Sequence, residues 1–150
     1  MRTLKRGVEP VFVDTSALYA LLDRDDHNHA NASKSWARLL ERGHPLLTHN
    51  YALVEAFALV QRRLGVEAVR VLQQDLLPVV EILWVDQALH QGAVEALLAL
   101  GSRSVSLVDR VSFLLMRQRR IGTAFAFDDD FQQEGFKILN ASPRGSSRTG

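Results

Sequence analysis

Hydrophobic and polar positions along the chain change period repeatedly. "VEPVFVDTS" is a short β-branched and aromatic run that ends at Asp14, which predicts a first strand. "SALYALLD" then places Leu18, Leu21 and Leu22 at helical spacing. Polar "DRDDHNH" interrupts, and "ANASKSWARLLERG" predicts a second helix closed by Gly43. "PLLTH" fits a brief second strand, and Asn50 is placed to cap a long helix through Leu64 with Gly65 as its stop. A helix over Glu67 to Leu76 is expected to end before Pro78, and "VVEILWV" reads as a third strand. Asp86 caps a helix with Leu89, Ala93, Leu97 and Leu100 on one face, stopped by Gly101. Ser106 opens a further helix through Arg119, "TAFAF" is the fourth strand, and "FKIL" fits a short last one.

Strands alternating with helices predict an α/β protein, a three-layer α/β/α sandwich around a mainly parallel sheet. "TAFAF" is apolar on both faces, as expected of a strand covered on both sides. At 150 residues, one domain over 1–141 is the simplest division. A chain of this size buries roughly 70% of the surface it exposes when unfolded. The Ser/Gly/Arg-rich remainder, 142–150, is expected to be a disordered tail. Without cysteine, neither disulfides nor thiolate metal sites can form. No apolar stretch approaches the ~20 residues that cross a bilayer, and the basic N-terminus lacks the apolar run of a signal peptide. A soluble cytoplasmic protein with no membrane association is expected. A net charge of +1 does not decide for or against a nucleic-acid partner.

Open parallel sheets bind ligands outside the carboxyl ends of their strands. Asp14 ends the first strand and Asp128 the fourth, so neighbouring strands would bring both carboxylates to one crevice. Glu55 lies in apolar "YALVEAFALVQ", which suggests a largely buried helix. An ionised carboxylate there costs several kcal/mol, on the order of the effective penalty per buried ion, unless paired or metal-bound. Equally, Glu55 fits a narrow solvent stripe with Gln61 and Arg62, two turns away. Asp109 falls in "SLVD", which from Ser106 fits a capping box. Four such acids brought together would repel, since like charges ~4 Å apart cost ~4 kcal/mol at an effective dielectric of 20. A divalent cation removes that repulsion, and oxygen ligands suit Mg²⁺ or Mn²⁺ better than Zn²⁺. Carboxylate-held metal can activate water for phosphodiester displacement.

"FVDTSALYALL", "DRDDHNHANA", "LTHNYALVEAFALV", "SLVDRVSFLLM" and "AFAFDDDF", in that order over residues 11–131, resemble the PIN-domain ribonucleases, above all the VapC-type toxins of toxin–antitoxin pairs. The resemblance implies an α/β/α sandwich in which Asp14, Glu55, Asp109 and Asp128 bind Mg²⁺ or Mn²⁺ for RNA cleavage. It also implies RNA as substrate, a small antitoxin protein as partner, and a homodimer. Ser16 matches the small hydroxyl residue that helps order the family's site, and its place at a helix start also allows a capping role. The family often has "D-x-H-F" where this chain has Asp130. Asp130 becomes a further ligand on the condition that the chain stays extended for two residues past Asp128, while Asp129 points away as turn chemistry.

His27 and His29 form an H-x-H pair in a polar loop, without a third nitrogen or sulfur ligand nearby in sequence; His29 belongs to a D-x-x-H-x-x-A pattern that starts a helix. Arg117, Arg119 and Arg120 suit a helix C-terminus, with RNA phosphates as a second use. Arg110, next to Asp109, is the nearer candidate for RNA contact. Trp36 and Trp84 are assigned to the core. "DTSAL" lacks the second acid of D-x-D phosphatases, and neither a P-loop nor a G-x-S-x-G elbow occurs. The competing class is a non-catalytic RNA- or protein-binding module on the same scaffold, which degenerate acids would favour; here all four positions are acidic.

Overall fold

The computed structural model describes residues 7–139. The predicted tail therefore lies outside the described residues. Strand β1 (Val11–Val13) leads into α1 (Thr15–Leu22) and α2 (His29–Arg42), then β2 (Leu46–His49) and α3 (Asn50–Leu64). After α4 (Val66–Val71) come β3 (Glu81–Leu83), α5 (Gln87–Leu100), α6 (Leu107–Arg119), β4 (Thr123–Phe125), α7 (Asp130–Gln133) and β5 (Lys137–Leu139). All four strand pairings are parallel, in the order β3-β2-β1-β4-β5. The sandwich expected from the sequence is the fold observed, with a sheet that is wholly parallel.

Side-chain alternation divides the core in two. Val11 and Val13 face one layer with Leu18, Leu39, Ala56 and Val60 from the helices α1 to α3. Phe12 and Ala124 face the other, against Ala93, Val111, Phe113, Met116 and Phe131. β1 is buried on both faces, so its side chains are apolar throughout. The chain moves outward from β1 through β2 to β3, then crosses back to β4. Strand order thus reverses between β1 and β4, the place where parallel sheets open a crevice.

Local departures from expectation have physical causes. Gly43 and Gly101 close α2 and α5 in left-handed conformation as expected, at φ 74° and 65°. Asn50 does not cap α3; His49 does, its Nδ1 accepting from the Ala52 amide at 3.1 Å. Asn50 instead accepts from the Val85 amide through Oδ1 at 2.7 Å, tying α3 to the end of β3. The helix expected over Glu67–Leu76 is α-helical only to Val71, then widens into a π-helical turn over Leu72–Leu76 and a 3-10 turn over Leu77–Val79. Pro78 sits in that last turn, where it has no amide to continue the ladder. Trp84, expected in the core, is 75% exposed: it lies one residue past β3, an edge strand with a neighbour on one side only. Trp36 does pack inward, its ring 6.3 Å from that of Phe125.

Candidate active site

Asp14 follows β1 directly and caps α1. Its amide donates to the Phe125 carbonyl of β4 at 3.0 Å, which fixes it at the reversal point. Its Oδ2 accepts from the Ser16 amide at 3.1 Å and from the Ser16 hydroxyl at 2.7 Å. Ser16 Oγ in turn accepts from the Phe127 amide at 3.0 Å. Ser16 is therefore not the cap: it links Asp14 to the segment that carries Asp128. Thr15, whose role the sequence did not signal, donates to the Ala52 carbonyl at 3.0 Å and draws the start of α1 to α3.

The crevice at this edge has a volume of about 390 Å³ and is lined by Asp14, Ser16, Glu55, Arg62, Asp109 and Asp128 among others. Glu55 reaches it from an exposed stripe of α3, not from a buried face. The helix buries only Ala52, Ala56 and Val60, one residue per turn, and leaves even Val54 in solvent. The solvent-stripe and ligand readings of Glu55 thus converge, because the stripe faces the acids. Asp109 forms the capping box: its amide donates to Ser106 Oγ at 3.2 Å, and its Oδ2 accepts from the Ser106 amide at 3.0 Å. One carboxylate serves both the cap and the crevice.

Asp109, Asp128 and Asp130 each offer a carboxylate oxygen within 4.8 Å of the others, a set able to hold a cation. Asp130 joins by a different path from the one its sequence suggested. The chain turns helical at Asp129 (φ −69°, ψ −15°), and Asp128 Oδ1 accepts from the Asp130 amide at 2.8 Å. A tight turn, not strand alternation, swings the third acid back towards the first; Asp129 is exposed. Asp14 and Glu55 line the crevice outside this close trio.

Burial, with neighbouring charge behind it, raises Asp14, Glu55, Asp109 and Asp130. Burial, opposed by the Ser16 hydrogen bonds and reinforced by Asp109 and Asp128, lifts Asp14 from 3.8 to about 7. Glu55 and Asp109 are raised by desolvation and by charged neighbours, and Asp130 by desolvation and Asp128.

Arg110 is not at the crevice. It is 5% exposed, with its guanidinium 3.5 Å from Glu134 and its Nε without a partner. One step along a helix rotates a side chain by ~100°, so the neighbour of Asp109 faces inward. Arg117 also engages Glu134, at 2.9 Å. His29 Nδ1 lies 2.8 Å from the Ala20 carbonyl, joining α2 to α1, in keeping with a structural role. The basic residue that does line the crevice is Arg62; its signal was the seven-residue spacing from Glu55.

Fold and crevice define a class, α/β/α proteins that gather carboxylates where strand order reverses in a parallel sheet. Within it the chain belongs to the PIN domain family, whose model matches residues 11–137. It is 37% identical over 127 residues to the 23S rRNA-specific endonuclease VapC20 of Mycobacterium tuberculosis, covering 84% of this chain and 95% of that one. The crystal structure of that VapC20, described as a sarcin-ricin loop cleaving toxin, superposes with a TM-score of 0.76, covering 87% of this chain and 98% of VapC20. FitAcB from Neisseria gonorrhoeae shares the fold at 17% identity and a TM-score of 0.63, covering 87% and 96% of the two chains. The chain is thus a homologue of a VapC-type RNA endonuclease toxin.

Proposed function

We propose that this protein is a metal-dependent endoribonuclease that cleaves RNA phosphodiester bonds, the toxin of a toxin–antitoxin pair. The observation that carries this reading is the convergence of Asp14, Glu55, Asp109 and Asp128 from four separate segments on one crevice. Their donor set fits Mg²⁺ or Mn²⁺: carboxylate oxygens only, with Asp109 and Asp128 joining Asp130 in a group whose oxygens lie within 4.8 Å of one another. Asp109, Asp128 and Asp130 would hold the ion, with Asp14 and Glu55 completing the acidic wall. The metal supplies water activation and charge stabilisation at the scissile phosphate. Ser16 keeps Asp14 and the Asp128 segment in register, and the Ser106 cap orients Asp109.

By similarity to VapC20, ribosomal RNA is the substrate class to try first; a cytoplasmic location, a small antitoxin protein as partner and a homodimeric toxin are parts of the same proposal. The non-catalytic alternative has no observation in its favour, since every acidic position is filled. Incubation of RNA with Mg²⁺ or Mn²⁺ should give endonucleolytic cutting that a chelator or Asp14→Ala abolishes. A folded but inactive Asp109→Asn protein would separate ligand from cap. Cutting that survives both Asp14→Ala and Asp128→Ala would defeat the assignment.

A further inference from the structure

We infer that Arg62 is the phosphate-holding residue of this crevice and that it grips the RNA at a nucleotide next to the scissile one. The inference rests on the nuclease reading above and adds the element that reading lacks. A wall of carboxylates repels the backbone of its own substrate, so a cation is needed to hold the strand before chemistry.

Among the described residues that line the crevice Arg62 is the only basic one; Asp14, Glu55, Asp109 and Asp128 are all acids. Its guanidinium makes no ion pair within 4.0 Å among the described residues. Neighbouring arginines are committed elsewhere: Arg63 lies 5.6 Å over the Tyr19 ring, and Arg110 and Arg117 both serve Glu134.

Position on α3 sets what Arg62 reaches. Glu55, Ala58, Leu59 and Arg62 are spaced i, i+3, i+4, i+7, one face of the helix, and all four line the crevice. Seven residues advance the helix by ~10.5 Å. Arg62 is thus rooted two turns beyond Glu55 on the same helix face, which suits a neighbouring phosphate rather than the scissile one. Between them Ala58 and Leu59 present an apolar step without hydrogen-bonding side chains, a surface for a ribose or base face. The crevice volume, about 390 Å³, falls in the range of small-ligand sites. An acidic end, an apolar step and a guanidinium in line are the chemistry of one nucleotide flanked by two phosphates. Arginine binds a phosphate through two parallel hydrogen bonds, so Arg62 also fixes the direction in which the strand lies.

Position in the last turn of α3 gives Arg62 a second favourable interaction, with the helix C-terminus. That role affects stability alone, whereas phosphate binding moves KM and the salt dependence. The test measures cleavage of a short fluorescein-labelled single-stranded RNA in Mg²⁺ by wild type, Arg62→Ala and Arg62→Lys across a salt series. Arg62→Ala should raise KM about tenfold, leave kcat within about twofold, and reduce the slope of log affinity against log salt by about 1. Arg62→Lys should keep the slope and recover part of the KM. Unchanged KM and slope in Arg62→Ala would overturn the inference, as would a loss confined to kcat. Fluorescence anisotropy of the same RNA is the second arm. Should the wild type not cut this RNA, weaker binding by Arg62→Ala still supports the phosphate site, and equal binding overturns it.

Discussion

His49 Nε2 lies 2.8 Å from the hydroxyl oxygen of Ser112, and both side chains are fully buried. Because Nδ1 accepts from the Ala52 amide, the ring is neutral with its proton on Nε2. That proton is donated to Ser112, whose hydroxyl donates to the Val108 carbonyl at 3.0 Å. The relay joins the cap of α3, which carries Glu55, to the first turn of α6, which carries Asp109. Phe12 stacks on the ring from β1 and Tyr51 meets it edge-on.

Burial holds His49 down from 6.5 to about 4. As pH falls below 6.5 the unfolded chain takes up a proton that the folded one refuses. This group's contribution to stability is therefore complete above 6.5 and is lost progressively down to about 4, a total of about 3 kcal/mol. Urea denaturation of wild type and His49→Asn between pH 7.5 and about 4.5 should show the wild type losing its advantage across that window. Parallel pH curves for the two proteins would show that His49 takes up its proton as readily in the fold as in the unfolded chain.

Arg110 and Glu134 form the partly buried ion pair of α6 and the segment after α7. Removing Glu134 leaves a guanidinium in the core, whereas replacing Arg110 by an apolar side chain removes the charge itself. Breaking buried pairs from one side costs about 3–5 kcal/mol; Glu134 is partly solvated, so about 2 kcal/mol is expected for Glu134→Ala. Arg110→Met should be tolerated better. RNA affinity should be the same in Arg110→Met as in wild type, which anisotropy would check, because Arg110 does not face the crevice.

Asp14 behaves oppositely to His49. With a folded value of about 7 against 3.8, its charge opposes folding as pH rises through that interval, fully so above 7. In chelator, Asp14→Asn should be more stable than wild type at pH 8, by up to about 4 kcal/mol. The gain should vanish near pH 4, while the amide oxygen can still accept from Ser16. Thermal melts at both pH values distinguish this from a general packing effect, which would not depend on pH. A variant less stable than wild type at pH 8 would mean that the Ser16 bonds outweigh the desolvation of Asp14.

How much of this could be seen in the sequence differs from residue to residue. Asp14 and Asp128 were legible because strand ends in a parallel sheet have a known polarity, and runs such as "VFVD" and "AFAFD" mark those ends. Glu55 stayed ambiguous because helical periodicity gives a face but not what the face looks at. Trp84 was misplaced because an apolar run does not say whether its strand is central or at the edge. Arg110 was misplaced by chain proximity, which on a helix separates side chains by a third of a turn. His49 and Ser112, 63 residues apart, carry no local signal for each other. Their pairing exists only once β1, β2 and α6 have packed.

The aspartate run 128–130 now makes a prediction of its own. Asp128 and Asp130 share the close carboxylate group with Asp109, and Asp129 stands in solvent. Asp130→Asn keeps the backbone amide that Asp128 caps, so the turn should survive the change. Metal binding stabilises the folded state by RT ln(1 + [M]/Kd), about 2.7 kcal/mol at a hundred times Kd. Titrating Mn²⁺ and following the melting temperature should therefore rank the three acids without any RNA present. Asp129→Asn should match wild type, Asp130→Asn should need about tenfold more metal, a loss of about 1.4 kcal/mol, and Asp128→Asn should show almost no shift. If Asp130→Asn titrates like wild type, the turn brings that carboxylate near the site without making it a ligand. The metal would then rest on Asp109 and Asp128 with the remaining crevice acids.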